Sequence, residues 1–353
     1  MKVVAMPADP WACGHYRIAW PADVLKARGH DVTVIPPTEK SGFRVRVGTR
    51  ADGTQELLDM EIPEADVIVI QRPARSMMVE MIKRLRETGI AVVVEIDDDL
   101  TNLHPHNIAY GTYRPGNPGG LSWRHTVEAC KAATYVVTST PRLQRVFAPH
   151  GRGQAIDNYV PEIYLTFEHQ DTGFFGWAGT TKSHPDDLQV IGHAVPILMD
   201  QGFQFQALGG SHGLENALRL KRPVPAMPAV PLQAWASTMA QCFDVSMCPL
   251  SNSVFNASKS RLKAIEAMAV GVAWVASPRE EYRRLYRESG VGLLADTPRQ
   301  WVKVIKELMT NDSLRHEQAE AGREYMKTQT YQLNAWRWME AWEQALKIQR
   351  GGA

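Results

Sequence analysis

The sequence is short of the features that mark several common functions. Only four of its 353 residues are cysteine: Cys13, Cys130, Cys242 and Cys248. None has Cys-x-x-Cys spacing and none stands beside a histidine cluster, which argues against a zinc site and for buried free thiols in a reducing cytoplasm. Charge of one sign is scarce: 39 basic side chains face 38 acidic ones, for a net charge of +1. A protein that grips long DNA by its phosphates needs a basic surplus or stripe. The near-neutral balance weighs against that and leaves a local patch open. No apolar run is long enough to span a bilayer. The segment from Met1 to Pro7 enters a short strand and meets Asp9 almost at once, which is no signal peptide. No short period repeats, which excludes a solenoid.

What is present fits two globular cores. Apolar residues make up 44% and charged residues 22%, an ordinary mixture, over a length generous for one domain. Strands are expected at Val3–Met6, Asp31–Ile35, Ala65–Ile70, Ile90–Ile96 and Tyr135–Ser139, with helices at Ile18–Arg28 and Ser76–Thr88, each stopped by a glycine. Continuous apolar strands alternating with helices mean βαβ units in a doubly wound parallel sheet, an α/β fold. The stretch Asn102–Ser122, with three prolines and four glycines, breaks the pattern and reads as an ordered loop near a site or a mobile cover. The rhythm then restarts: strands at Gly173–Trp177, Phe203–Leu208, Phe243–Cys248 and Ala273–Ser277, a helix starting near Pro185, and another over Ser260–Ala269. A second first strand points to two similar domains. The last stretch, Gln332–Ile348, sets Trp336, Trp338, Trp342 and Leu346 on a helical pattern, for which packing is the simplest account.

Three constellations carry chemistry. On the expected helix Ser260–Ala269, Lys259, Lys263 and Glu266 fall four and then three residues apart, on one face. A helix amino end with two ammonium groups suits a diphosphate, and a carboxylate one turn further in suits a ribose. On spacing alone, a solvated Lys–Glu face is the plainer reading. The run Glu95-Ile96-Asp97-Asp98-Asp99 closes an apolar strand, at the sheet end where such folds bind ligands. Asp97 and Asp98 suit the orientation of an acceptor hydroxyl, or service as a base; the plainer reading is an acidic helix-capping turn. In the first βα loop, Gly14 permits close backbone approach, and His15 and Arg17 either reach a ligand or are ordinary surface residues. His104 and His106 flank Pro105 in the irregular loop, either on an acceptor side or there incidentally.

The continuation Ala267-Met268-Ala269-Val270-Gly271-Val272-Ala273-Trp274-Val275-Ala276-Ser277 after Glu266 resembles glycosyltransferase family 4. Gly176-Trp177-Ala178-Gly179-Thr180-Thr181, with His184 and Asp187, resembles that family's glycine-rich turn facing the donor diphosphate. Gly14-His15-Tyr16-Arg17, with Pro21, Leu25 and Gly29-His30-Asp31-Val32, looks like its first strand–loop–helix. The resemblance implies two Rossmann-like domains facing across a cleft, the GT-B architecture. Residues 1–165 would form the acceptor domain, residues 166–330 the nucleotide-sugar domain, and residues 331–353 a helix packing back on the first. It implies sugar transfer from a nucleotide-diphosphate sugar, UDP- or GDP-linked, to a hydroxyl, with retention and with no cofactor or metal required. Glu266 would hold the ribose; Lys259, Lys263, Gly179, Thr180, Gly14 and Arg17 would surround the diphosphate; Asp97 and Asp98 would serve catalysis. Two departures stand out. Ser258 replaces the glutamate that usually meets the donor sugar, leaving that task to Asn256 or backbone N–H groups. The usual basic residue is absent at Thr180 and Thr181, with Lys182 a candidate substitute. The chain also resembles compact phage-encoded glycosyltransferases, whose setting would be the host cytoplasm. The acceptor is then a modified DNA base, a protein or a glycan. The alternative is a non-catalytic nucleotide- or sugar-binding protein of the same fold.

Overall fold

The computed structural model describes residues 1–37, 44–50, 55–62, 64–184, 186–210 and 212–352. The first domain holds strands β1 (Lys2–Met6), β2 (Asp31–Val34), β3 (Val45–Thr49), β4 (Gln55–Met60), β5 (Val67–Gln71), β6 (Ala91–Ile96), β7 (Tyr135–Thr138) and β8 (Gly153–Ala155). Six of these form one sheet in the order β2-β1-β5-β6-β7-β8, every pair parallel. Every residue of β5 and β6 is buried, as a sheet covered on both faces requires. The second domain holds β9 (Phe174–Ala178), β10 (Gln204–Leu208), β11 (Ala226–Met227), β12 (Val245–Cys248), β13 (Ala273–Ala276) and β14 (Leu293–Leu294). Their order is β11-β10-β9-β12-β13-β14, again all parallel. Strand order reverses between β1 and β5 and between β9 and β12, and such switch points open a crevice at the carboxyl ends of the strands.

Several elements differ from the sequence expectation. The antiparallel hairpin β3–β4 was not foreseen, because only Leu57 of its eleven residues is buried and the chain shows little alternation. Helices Trp123–Ala132 and Pro141–Phe147 were also missed; both begin with a side-chain cap, Ser122 and Thr140. Within Asn102–Ser122, expected to be wholly irregular, Tyr110–Tyr113 is helical. The first helix begins earlier than Ile18: the chain is helical from Ala12, passes through a π-helical turn at His15–Ala19 and continues to Ala27. Pro185, the expected start of another helix, lies outside the described residues. Beyond it the chain forms a 3₁₀ turn, Asp187–Ile191, and then the helix Ala194–Asp200.

After the second sheet the chain returns to the first. Helix Trp336–Gln349 packs on β5, β6 and β7, burying Trp338 and Trp342 among Val67, Val69, Ala91, Val93 and Val137. Trp338 Nε1 donates to the Arg17 carbonyl at 3.0 Å, and Tyr331 Oη donates to the Tyr16 carbonyl at 2.5 Å. Trp336, by contrast, faces outward, so packing accounts for two of the three tryptophans.

Candidate functional site

Residues following the carboxyl ends of β1, β6, β9 and β12 line one cavity of about 450 Å³ between the two sheets. Pro10, Trp11, His15 and Tyr16 come from the first domain, with Asp97 and Asp98 beyond β6; Lys259, Lys263 and Glu266 come from the second. The helix carrying the last two is Leu262–Ala269, shorter than expected. Arg261 sits at its N-cap without a side-chain cap, and the Ser260 hydroxyl is taken by the Asn158 amide at 3.0 Å. Lys259 therefore precedes the helix, and the one-face spacing expected of Lys259, Lys263 and Glu266 does not apply to it. The chain brings all three to the cavity nonetheless.

The three are not alike. Lys259 Nζ donates to both oxygens of Asp98, at 2.8 and 3.0 Å, and sits 4.6 Å from the Phe255 ring centre. Burial alone would lower its ammonium, but Asp98 outweighs burial and holds it above its ordinary value. Lys263 Nζ donates to the Ala178 carbonyl at 2.6 Å and lies against Trp177. Burial pulls this ammonium below its ordinary value, with Glu266 opposing. The Glu266 carboxyl is raised by burial, while Tyr16, donating at 2.5 Å, and Lys263 pull it down. Tyr16 thus already satisfies one oxygen of the carboxylate expected to hold a ribose.

The acidic run separates into distinct partnerships. Glu95 pairs with Arg17, Asp97 with Arg72 in a two-pronged contact, and Asp98 with Lys259. Asp99 caps the short turn Leu100–Asn102, accepting from Thr101 N at 3.2 Å and Asn102 Nδ2 at 2.9 Å, so the capping account holds for that residue. Burial would raise the Asp97 carboxyl, but the Arg72 guanidinium holds it below its ordinary range. Sequence reasoning missed Arg72. It follows β5 with φ 49°, a left-handed conformation held only where surroundings enforce it, and the charge lands on the acidic strand end.

Of the other expected residues, Arg17 reaches the cavity lining but is spent on its neighbours, and the rest stand off it. Arg17 is only 1% exposed and gives its guanidinium to Glu95 at 2.7 Å, the Ile156 carbonyl at 2.7 Å and Asn158 at 2.9 Å, so it braces the first domain instead of presenting a free cation. Gly14 does not line the cavity. A Cβ there would lie 2.0 Å from the Asp9 carbonyl oxygen, so its close approach is to its own loop. Gly179 and Thr180 also stand off the cavity lining. Gly179, with φ 153°, leaves room for Lys263, whose Nζ would sit 2.9 Å from a Cβ. Thr180 instead caps its own turn, accepting from Lys182 N at 3.4 Å. Lys182 stays outside the lining as well, its carbonyl accepting from Ile108 N. Asn256 is buried and donates to Asp187 and Ser251, and Ser258 is buried with no hydroxyl partner among the described residues; neither reaches the cavity. Of the four thiols, three are buried, while half-buried Cys13 lines the cavity with its thiol pushed by burial up to about 12.

The irregular loop crosses to the second domain. His104 Nε2 meets Asp186 at 3.0 Å, Asn107 Nδ2 donates to the Ser183 carbonyl at 2.9 Å, and Ile108 N donates to the Lys182 carbonyl at 3.0 Å. His104, His106 and Asp186 are grouped as metal ligands would be. His104 Nδ1, however, accepts the His106 N–H at 3.1 Å, which places the proton of a neutral ring on Nε2, toward Asp186. The arrangement is a clasp between domains. His184, which sequence comparison placed beside Gly179 without a role, lines the cavity and is held at Nδ1 by Asp187 at 2.7 Å.

Residues 219–343 match a family described as glycosyl transferase-like. No curated protein matches the chain by sequence. Among solved structures, a sucrose-phosphate synthase from Thermosynechococcus elongatus is similar at TM-score 0.65 and 14% identity, over 98% of this chain and 99% of that one. An α-glucosyltransferase solved with UDP-glucose and abasic-site DNA is similar at 0.62 and 14% identity, over 96% and 98%. The Anabaena protein HepE, solved with UDP, is similar at 0.61 and 14% identity, over 96% and 99%. No helix among the described residues is long and apolar enough to cross a membrane. The chain has the GT-B fold of glycosyltransferases, and its residues 219–343 match the glycosyl transferase-like family.

Proposed function

We propose that the protein transfers a sugar from a nucleotide-diphosphate sugar to a hydroxyl acceptor, with retention at the anomeric carbon. The observation that carries the reading is the convergence of Lys259, Lys263 and Glu266 on one wall of the inter-domain cavity. Charge grows on the leaving diphosphate as the glycosidic bond breaks, and fixed ammonium groups in a partly dry cleft stabilise that charge more than they stabilise the ground state. Lys263, poised beside the carbonyl end of β9, and Lys259, released from Asp98, take that role. Glu266 exchanges the Tyr16 hydroxyl for ribose hydroxyls. Asp97 and Asp98 are each paired with a cation, so their work is to orient the acceptor and hold Lys259 until the donor arrives.

The three-part division at residues 165/166 and 330/331 belongs to the same reading, with the acceptor entering from the side of Trp11 and the Asn102–Ser122 loop. Trp11 is 74% exposed at the cavity rim and suits a flat or apolar acceptor face. A modified DNA base, a protein side chain and a glycan all offer the hydroxyl needed. One similar structure is an α-glucosyltransferase solved with UDP-glucose and DNA, which favours starting with hydroxymethylated DNA. The second reading, nucleotide-sugar binding without transfer, is favoured by Ser258: no acidic group stands at its position.

One experiment separates these. Calorimetry against UDP-, GDP- and ADP-sugars is followed by assay of nucleoside diphosphate release, with and without hydroxymethylated DNA. Binding with release supports transfer; binding without release under every acceptor supports the second reading. Glu266→Ala is expected to weaken binding roughly 10- to 100-fold, the range for a charge-assisted hydrogen bond. Unchanged affinity in that variant would remove the ribose assignment.

A further inference from the structure

His184 stands in the cavity wall with one ring nitrogen committed and the other open. Nδ1 lies 2.7 Å from Asp187 Oδ2, and no partner is found for Nε2 among the described residues. Asp187 is fixed as an acceptor: its Oδ1 takes the Ser251 N–H at 2.9 Å and the Asn256 amide at 2.5 Å. Burial would raise this carboxyl, but His184, Ser251 and Asn256 hold it below its ordinary range. A buried carboxylate draws the Nδ1 proton toward itself, so the neutral ring presents a lone pair at Nε2.

The groups acting on this ring are Asp187 on its own turn, Lys263 on the helix Leu262–Ala269 and Lys259 just ahead of that helix, while Tyr282 from the helix Glu280–Ser289 lines the same cavity. Burial lowers the imidazole, Asp187 opposes, and Lys263 and Lys259 lower it further, so the ring lies below its ordinary value. A diphosphate reverses this field. Its charges cancel those of the two lysines, and a bare lone pair against a phosphate oxygen is repulsive until a proton lies between them.

We infer that His184, anchored by Asp187, is the third cation of the diphosphate site. It takes one proton from solvent as the nucleotide-diphosphate sugar binds, and its Nε2–H then donates to a phosphate oxygen. This rests on the donor-site reading and supplies the cationic group missing at Thr180 and Thr181.

The test is calorimetry of UDP-glucose and GDP-mannose near pH 7.5 in two buffers of different ionisation heat. The diphosphate of a nucleotide sugar has no proton to exchange near neutrality, so uptake belongs to the protein. The expected result is about one proton taken up, and affinity rising about tenfold per pH unit on acidification, roughly 100-fold tighter near pH 6.5 than near pH 8.5. In His184→Gln the nucleotide sugar still binds, more weakly, and both signals vanish. His184→Asn serves if that variant does not fold, as does the imidazole NMR titration of the wild type with and without nucleotide sugar. Wild-type binding without proton uptake, or uptake that survives in the folded variant, overturns the inference and leaves the donor site standing. No binding of any nucleotide sugar overturns both.

Discussion

Arg17 shows how a residue in a cavity wall can be spent on holding the fold. Its guanidinium is enclosed by Glu95, the Ile156 carbonyl, Asn158 and the face of Trp338, 5.0 Å from the ring centre. Glu95 is fully buried, and its second oxygen has no partner among the described residues. Removing the cation strands that carboxylate, and breaking a buried pair from one side costs about 3–5 kcal/mol. Arg17→Met is therefore expected to lose that much stability in urea denaturation, with a correspondingly lower midpoint. An affinity loss with unchanged stability would restore the ligand role. The chemical types were legible at this scale, since Lys259, Lys263, Glu266, Asp97 and Asp98 all line the cavity. Their pairings were not, because Arg72 reaches Asp97, Tyr16 reaches Glu266 and Lys259 reaches Asp98 from elements distant in sequence, and the sequence carries no spacing signal for such meetings. Residue type likewise suggested a ligand-facing Gly14, whereas its missing side chain accommodates Asp9.

At the scale of elements, the strands were the most legible part, because continuous apolar runs have few other fates. Helix ends were less so. The pattern over Ser260–Ala269 is helical by composition, yet Ser260 is drawn off by Asn158 and the helix begins at Leu262. Two elements yield predictions. The turn after β9 depends on Gly179, whose φ of 153° and contact with Lys263 leave no place for a methyl group. Gly179→Ala is expected to push Lys263 off the Ala178 carbonyl and weaken nucleotide-sugar binding roughly tenfold, as loss of a charge-assisted bond implies; calorimetry on the folded variant checks it. The start of β9 is pinned by Asp244, which accepts from Thr172 N at 2.7 Å, Thr172 Oγ1 at 2.8 Å and Gly173 N at 2.9 Å. Burial would raise this carboxyl, but His169 and these donors bring it down to about 2. A depressed carboxyl stabilises the fold above its unfolded value and loses that contribution as pH falls through its folded value. The loss therefore runs between about pH 4 and pH 2 and amounts to about 2 kcal/mol. Asp244→Asn should be less stable than wild type at neutral pH, with the gap closing across that window in acid-denaturation curves.

For the whole molecule, the two sheets meet through polar contacts that a ligand would have to renegotiate. Lys259 with Asp98, Glu266 with Tyr16 and the clasp of His104 on Asp186 all cross between domains. The restarted strand rhythm made the duplication legible; the tryptophan pattern showed only a packed helix, and it was the family resemblance that implied its return to the first domain. Trp338 is that helix's deepest anchor, and Trp338→Ala is expected to cost about 3–5 kcal/mol. Loss of the Arg17 contact should then appear as a selective rise in hydrogen exchange at β5 and β6. An equal rise in both sheets would mean that the helix does not belong energetically to the first.

That returning helix also sets an order of events. A ribosome delivers β1 through β8 first, yet the surface of β5, β6 and β7 that Trp338 and Trp342 cover stays bare until residues beyond 336 have left the exit tunnel. The first domain is thus translated before the second and completed after it. A chain released after residue 330 should yield a protease-resistant second domain beside a digestible first one.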